Sequence, residues 1–365
     1  MAARLTVVDP AADWSISDVY HGLVEGLQAR RAEVVQYRFG RRYAALLRGL
    51  MAAWKSGDPT RAKPTPADAA LWTSELAITW ALRHQTPWLV IVSGMYFHPD
   101  GLLLAKRAGL KVAVLLTESP YDFEAEVRVG RAVDLVWTNE RTAVEPLRAN
   151  GVNAHYLRHA YRPSVHTTVT ALDDEVPAHD VVFVGTGFRE RIDLLSAVDW
   201  TGIDFGLYGA WNLKKRSPLR AHLRGQMVDN TVTAQLYRKA KIGINLFRSS
   251  KGFGLNAPRL SGAESLGPRS YELAATGCFH VSHGRAEVAE TFGPLVPTFD
   301  TAEELTGLLR EWLPRVSDRA AIAAQLPGAV RGHSWNERAG QVLSDLSAHA
   351  LAPSVPWRQP KAVGA

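Results

Sequence analysis

The chain of 365 residues has one cysteine, Cys278, which excludes an internal disulfide and any metal cage built from several cysteines. That residue sits in the apolar run Cys278-Phe279-His280-Val281, the setting of a buried structural thiol. No apolar stretch reaches the roughly 18 residues of a membrane span. Met1 to Val8 lacks the basic-then-apolar layout of a secretory leader, so a cytoplasmic protein is expected. There is no repeat with a period of roughly 20 to 50 residues, no His-Glu-x-x-His, no Gly-x-Ser-x-Gly elbow and no Gly-x-x-x-x-Gly-Lys-Ser/Thr loop. Asp122-Phe-Glu124 and Asp173-Asp174 are the only acidic clusters that invite a divalent ion, and no metal is expected.

What is present describes a globular enzyme-sized protein. Hydrophobic residues make up 46% and charged residues 21%, and 11 Trp, 10 Tyr and 11 Phe supply large apolar side chains for a core. The length suits two domains. The formal charge of +6 is unevenly placed, because residues 30 to 63 hold nine cations against Glu33 and Asp58. Such a block suits an anionic partner, nucleic acid or lipid headgroups, or else is a solvated basic face.

Short β-rich runs alternate with helical periodicity, the pattern of parallel sheets built from βαβ units. The strands expected first are Leu5–Val8, Glu33–Tyr37, Trp88–Val92, Val112–Leu116, Val133–Trp137 and Ala154–Leu157. Ser17 is a plausible cap for a helix running to Gln28, while Arg41–Lys55 and Pro66–His84 form a helical insertion. The polar, aperiodic stretch 166–180 reads as a linker between a first domain at 1–165, with its insertion at 41–84, and a second at 181–350. The second series contains Val181–Val184, Ile203–Tyr208, Ile242–Phe247, Cys278–Val281 and Leu295–Phe299. A last helix, Trp335–Ala348, precedes a frayed tail at 351–365. Two parallel sheets facing each other would place strand ends and helix N-termini at one cleft.

Chemistry is most legible between Glu264 and Gly277. Pro268 can open a short helix and Gly277 can end it, so Ser265-Leu266-Gly267 leads into a helix N-terminus where a phosphate could sit, with Arg269 in the first turn. Glu264 and Glu272 flank that start and could accept hydrogen bonds from sugar and ribose hydroxyls, or could simply be carboxylates favoured by the helix dipole. A second loop, Gly185-Thr186-Gly187-Phe188-Arg189-Glu190-Arg191, follows the first strand of the second domain. Its glycines allow close backbone approach and its arginines could clamp a diphosphate, although the same pattern makes an ordinary strand-to-helix turn. In Arg41–Lys55 an apolar stripe of Tyr43, Leu46, Leu47, Leu50, Met51 and Trp54 accompanies Arg41, Arg48 and Lys55 on another face. That helix could pack on its domain, lie on an anionic membrane or meet a nucleic-acid backbone.

These residues resemble glycosyltransferases of the GT-B fold, the group 1 and CgeB-like branch in particular. The resemblance rests on the two glutamates with seven residues between them, Phe-Val-Gly-Thr-Gly at 183–187, Leu207-Tyr208-Gly209, and His333-Ser-Trp-Asn-Glu-Arg. It implies an α/β fold of two Rossmann-like domains facing across a cleft, with the C-terminal helix packing back on the N-terminal domain. It also implies metal-independent, retaining transfer from a nucleotide-diphosphate sugar, a UDP-sugar first, to an acceptor hydroxyl. Glu272 would then bind the ribose and Glu264 the transferred sugar. Ser265, Leu266, Gly267 and Arg269 would hold the diphosphate, together with Gly185, Thr186, Gly187, Tyr208 and Gly209, while Arg189 or Arg191 would neutralise the leaving group. If the reaction inverts, Glu118, His21 or Asp122 is the base candidate by its place after a strand. Ser93, Gly94, Asp122, Arg41 and Arg48 lie on the acceptor side, with a hydroxylated DNA base ranked slightly ahead of a lipid-linked, wall-polymer or protein acceptor. A nucleotide-sugar epimerase and a non-catalytic nucleic-acid or glycan binder are the rivals from other classes.

Overall fold

The computed structural model describes residues 3–11, 16–57, 62–225, 228–249 and 262–351, so the expected tail falls outside the described residues except for its first. The first sheet comprises β1 (Arg4–Val8), β2 (Glu33–Tyr37), β3 (Trp88–Val92), β4 (Lys111–Leu116), β5 (Leu135–Thr138) and β6 (Ala154–Tyr156). All its pairings are parallel, in the order β2-β1-β3-β4-β5-β6. Leu5 lies between Val34 and Trp88 in the ladder, and β3 is buried along its whole length, as its uninterrupted Trp-Leu-Val-Ile-Val requires. The helices on this sheet are α1 (Ser17–Ala29), α2 (Phe39–Ser56), α3 (Pro66–Arg83), α4 (Pro99–Arg107), α5 (Phe123–Arg131) and α6 (Val144–Ala149).

The second sheet is also parallel and consists of β7 (Val181–Val184), β8 (Phe205–Tyr208), β9 (Leu223–Gly225), β10 (Ile242–Asn245), β11 (His280–His283) and β12 (Thr298–Phe299). Its order β12-β11-β10-β7-β8-β9 reverses direction between β7 and β10, a topological switch point of the kind where α/β sheets bind ligands. Around it run α7 (Arg189–Ala197), α8 (Asn230–Lys239), α9 (Pro268–Ala275), α10 (Ala286–Phe292), α11 (Ala302–Trp312), α12 (Val316–Ala323) and α13 (Leu326–Ala329).

The last helix, α14 (Trp335–Leu351), returns to the first domain. Trp335, Ala339, Val342 and Leu346 join the core formed by α1 and the first sheet. The approach is close enough that a Cβ on Gly22 would stand 2.1 Å from the Trp335 ring and one on Gly26 2.3 Å from its carbonyl oxygen. Indole NH of Trp137, in turn, donates to Asp345 at 2.8 Å.

Three details differ from the sequence reading. Ser17 is the first helical residue of α1, and the cap position falls to Ile16, which has no oxygen to offer; Asp18 supplies negative charge to the first turn instead. β9 has only three residues and no apolar run, so nothing announces it in the sequence. On α2 only Phe39 is buried, and the stripe from Tyr43 to Trp54 stays half-exposed.

Candidate functional site

The C-terminal strand ends of both sheets meet at one cleft, and its walls are joined by side chains from the two domains. α9 enters this cleft with Pro268 at its first position and Gly267 before it, and it ends at Thr276 followed by Gly277 in the left-handed region, φ +68°. Glu264 lies in the preceding loop and Glu272 one turn into the helix.

Glu272 faces across to α1. Ligand atoms of Asp18, His166 and Glu272 all lie within 4.8 Å of one another, bringing together α1, the connection between the two sheets and α9. Burial is the main cause that pushes the Glu272 carboxyl up to about 8, with the Asp18 carboxylate adding to it and Arg269 opposing. Asp18 itself accepts from Arg162 Nη1 at 2.6 Å, and the same guanidinium holds Glu25 at 2.7 Å. His166 is buried, and its Nδ1 accepts the Arg162 backbone N–H at 3.2 Å. The neutral ring therefore carries its proton on Nε2, a buried atom with no hydrogen-bond partner among the described residues. The trio is suited to sharing protons and to meeting hydroxyls.

Glu264 takes a different partner. Its Oε2 accepts from Arg141 Nε at 2.6 Å, and Arg141 Nη1 also reaches both oxygens of Glu290 at 2.9 Å. Arg141 follows β5, so this fork ties the first domain to the loop before α9. Beside it, Glu140 is buried and accepts the backbone N–H groups of Glu264 and Ser265, each at 3.1 Å. Ser265 Oγ meets Tyr156 Oη at 2.8 Å, and Leu266 N–H donates to Glu287 at 2.9 Å. Ser265 and Leu266 are thus buried anchors of the loop, with only Gly267 and Arg269 nearer the helix start. A second clasp joins Glu118 to Arg248 at 2.6 Å and Tyr121 to Arg285 at 2.8 Å.

The loop after β7 uses its glycines for packing. Gly185 and Gly187 donate to the carbonyls of Tyr208 and Ala210, at 3.0 and 2.8 Å. A Cβ on Gly185 would stand 2.4 Å from Arg269 Nη2, one on Gly187 2.5 Å from Trp211, and one on Gly209, φ +114°, 2.1 Å from the Gly185 oxygen. Thr186 gives its carbonyl to Arg191 Nη1 at 2.9 Å, and Arg191 Nη2 reaches Leu246 O at 2.9 Å. The Arg191 guanidinium is buried against Phe183 and Phe188, and burial lowers its pKa to about 9. Arg189 instead pairs with Asp193 one turn along α7, at 2.7 Å. Arg269 donates to Val184 O at 2.9 Å and Leu246 O at 3.2 Å, spanning the switch point between β7 and β10. Tyr208 is buried with its hydroxyl on His179 Nε2 at 2.8 Å.

On the first-domain wall, His21 sits on α1 half-buried, its pKa lowered by burial and by the charges of Arg162 and Arg38. Ser93 and Gly94 turn the chain out of β3, at φ +69° and +75°, and a Cβ on Gly94 would meet Val114 at 2.9 Å. Asp122 takes the cap position of α5 without a capping side-chain bond. Arg41 and Arg48 lie on the outer face of α2. The sequence reading had not picked out Asp18, Glu140, Arg141, Arg162, His166, Arg248 or Arg285. Arg141 and Glu140 carry a weak signal in following a strand end, whereas Asp18 and His166 gain meaning only from the meeting of the two domains. A cavity of about 310 Å³ opens beside this site, between α7 and the β12–α11 turn, with Leu246, Phe247 and His283 in its wall.

Residues 189–344 match the model of a family described as glycosyl transferase-like. A search of curated proteins gives no match. Among solved structures the chain is similar to sucrose-phosphate synthase from Thermosynechococcus elongatus, at 13% identity and TM-score 0.62 over 95% of this chain and 99% of that one. It is equally similar to the Anabaena HepE protein in complex with UDP-glucose, at 13% identity and TM-score 0.62, covering 94% and 99%. A Listeria monocytogenes protein described as a candidate UDP-N-acetylglucosamine 2-epimerase aligns at 10% identity and TM-score 0.59, covering 96% and 97%. The chain has the two-domain GT-B fold of these structures.

Proposed function

We propose that this protein transfers a glycosyl group from a nucleotide-diphosphate sugar to an acceptor hydroxyl, with a UDP-sugar as donor and with retention at the anomeric carbon. The observation that carries this reading is the placement of Glu264 and Glu272 on either side of the α9 start, at the cleft, within the stretch that matches a glycosyl transferase-like family. That a fold neighbour holds UDP-glucose supports the choice of donor.

The transfer breaks the bond between the anomeric carbon and a phosphate oxygen, which keeps the electron pair, and forms a bond to the acceptor oxygen, whose proton passes to the departing phosphate oxygen. Negative charge therefore grows on the diphosphate, and stabilising it is the main electrostatic task. The α9 N-terminus and Arg269 are placed for it; Arg191 serves by fixing the backbone of 186 and 246, which makes it a positioning residue. Glu272, protonated near neutral pH, can both donate to and accept from a vicinal diol, which suits a ribose. Arg141 fixes the Glu264 carboxylate, its Nε donating to Oε2 at 2.6 Å. No metal enters this scheme. The acceptor comes from the first-domain wall, and its exposed apolar and basic face favours a lipid-linked or surface-polymer acceptor over a hydroxylated DNA base.

The test is a thermal-shift panel of UDP, GDP, ADP, CDP and TDP with their common sugars, since a ligand bound to the native state raises stability by about 2.7 kcal/mol at 100-fold its Kd. Selective stabilisation by one nucleotide, lost in Glu272→Ala, is expected. Acceptor-free conversion of the donor sugar would instead identify an epimerase.

A further inference from the structure

Part of the charge excess of residues 30–63 sits on α2, which packs beside α3, and α3 in turn contacts α4. Nine large apolar side chains are exposed among the described residues, and six of them, Trp72, Leu76, Leu82, Tyr96, Leu103 and Leu104, belong to α3, α4 and the loop between β3 and α4. Trp72 and Leu76 are each 52% exposed, far more than packing in a monomer requires. With Trp80 they form a stripe at i, i+4 and i+8 along α3, and Trp80 is covered by Arg42 of α2, 5.2 Å from its ring. The stripe therefore runs along the α2 side of α3. At the other end of this hairpin Lys63 lies over Trp54 at 5.8 Å.

α2 completes the face. Its 18 residues contain no Asp or Glu, and Arg41, Arg48 and Lys55 are exposed at intervals of seven residues, about 10 Å apart along the helix. Its leucines, Met51 and Trp54 are half-buried, so α2 too leaves part of an apolar stripe open to solvent.

We propose that the α2–α3–α4 face is a docking surface for an anionic lipid bilayer. Charge complementarity selects this occupant. A row of cations beside an exposed tryptophan and several leucines matches headgroup phosphates above acyl chains, whereas a nucleic-acid backbone would leave the apolar side chains unused. α2 starts where β2 ends, with Gly40 N–H on Asp9 at 2.8 Å, so the bound face lies next to the cleft mouth. The inference stands independently of the sugar-transfer reading, because it concerns where the protein binds rather than what it catalyses.

The experiment is co-sedimentation of the full chain with vesicles of phosphatidylcholine alone and with 30% phosphatidylglycerol (an assay composition, of order one-third anionic lipid). Duplex DNA retention and sedimentation velocity of the protein alone are measured alongside. Binding to the anionic vesicles only, weakened by salt, is expected. Replacing Arg41, Arg48 and Lys55 together by Ser is expected to lower it on the order of a hundredfold, at about 1 kcal/mol per cation. Trp72→Ser with Leu76→Ser is expected to lower it at least tenfold, while circular dichroism and the melting temperature stay unchanged because all five side chains are exposed. Indifference to both vesicle types, binding to DNA but not to anionic vesicles, or a stable dimer that covers this face would each overturn the proposal.

Discussion

Replacing Glu272 by Gln should make the protein more stable at alkaline pH. In the unfolded chain this carboxyl titrates near 4.5; in the folded protein burial and Asp18 move it to about 8. Over that window of about 3.5 units the native state holds a proton that the unfolded chain releases. The stability that the protonated group contributes is thus complete below about pH 4.5 and is lost as pH rises through 8. One proton corresponds to about 1.4 kcal/mol per unit, an upper limit of about 5 kcal/mol. Because the side chain keeps some contact with solvent, about half of this, roughly 2 kcal/mol, is the expected loss. Gln has nearly the shape of the protonated carboxyl and does not titrate. Urea unfolding at pH 5 and pH 8.5 should therefore give equal stabilities at the lower pH and an advantage of about 2 kcal/mol for Glu272→Gln at the higher. Buried His159 and His280 and half-buried His333, each lowered to about 4 chiefly by burial, produce the opposite slope below pH 6.5 in both proteins and cancel in the comparison. A variant equally or less stable at pH 8.5 would refute the reasoning, and with it the picture of Glu272 held protonated against Asp18.

Arg141→Met, Glu290→Gln and the double variant should show a coupling of about 0.5–1 kcal/mol, since the pair is bidentate but partly exposed, and hydrogen exchange at residues 262–267 should quicken when the fork is lost. Gly209→Ala puts a Cβ 2.1 Å from the Gly185 carbonyl at φ +114°, so we expect a cost above about 2 kcal/mol, read by urea unfolding, and a loosened loop after β7. Trp335→Ala empties the groove beside Gly22 and should cost about 3–5 kcal/mol, with α14 released first in hydrogen exchange.

The strands were legible because a parallel strand buried on both faces must be a short continuous apolar run, as in Trp88–Val92 and Val181–Val184. Pro268 and Gly277 marked the ends of α9 for reasons local to the chain. The directions of Arg189 and Arg191 were not legible, since both sit on one helical turn and only the carbonyls of residues 186 and 246, brought together by sheet order, decide where Arg191 points. The same holds for Arg141: its partners Glu264 and Glu290 lie 123 and 149 residues away and exist only when the domains meet. Asp18 and His166 are ordinary residues until α9 brings Glu272 beside them. On α2 the periodicity showed an apolar stripe but not how much of it α3 would leave open.

The most direct measurement is of turnover: the protein incubated with each nucleotide-diphosphate sugar and a hydroxyl acceptor series, with nucleoside diphosphate release followed by chromatography and the product anomer read by NMR. Release from one donor class, acceptor-dependent, with the anomeric configuration kept and the rate strongly reduced in Glu272→Ala, is the predicted result. A donor that is neither bound nor consumed, or one that is converted with no acceptor present, would contradict the assignment of a glycosyl-transfer site to this cleft.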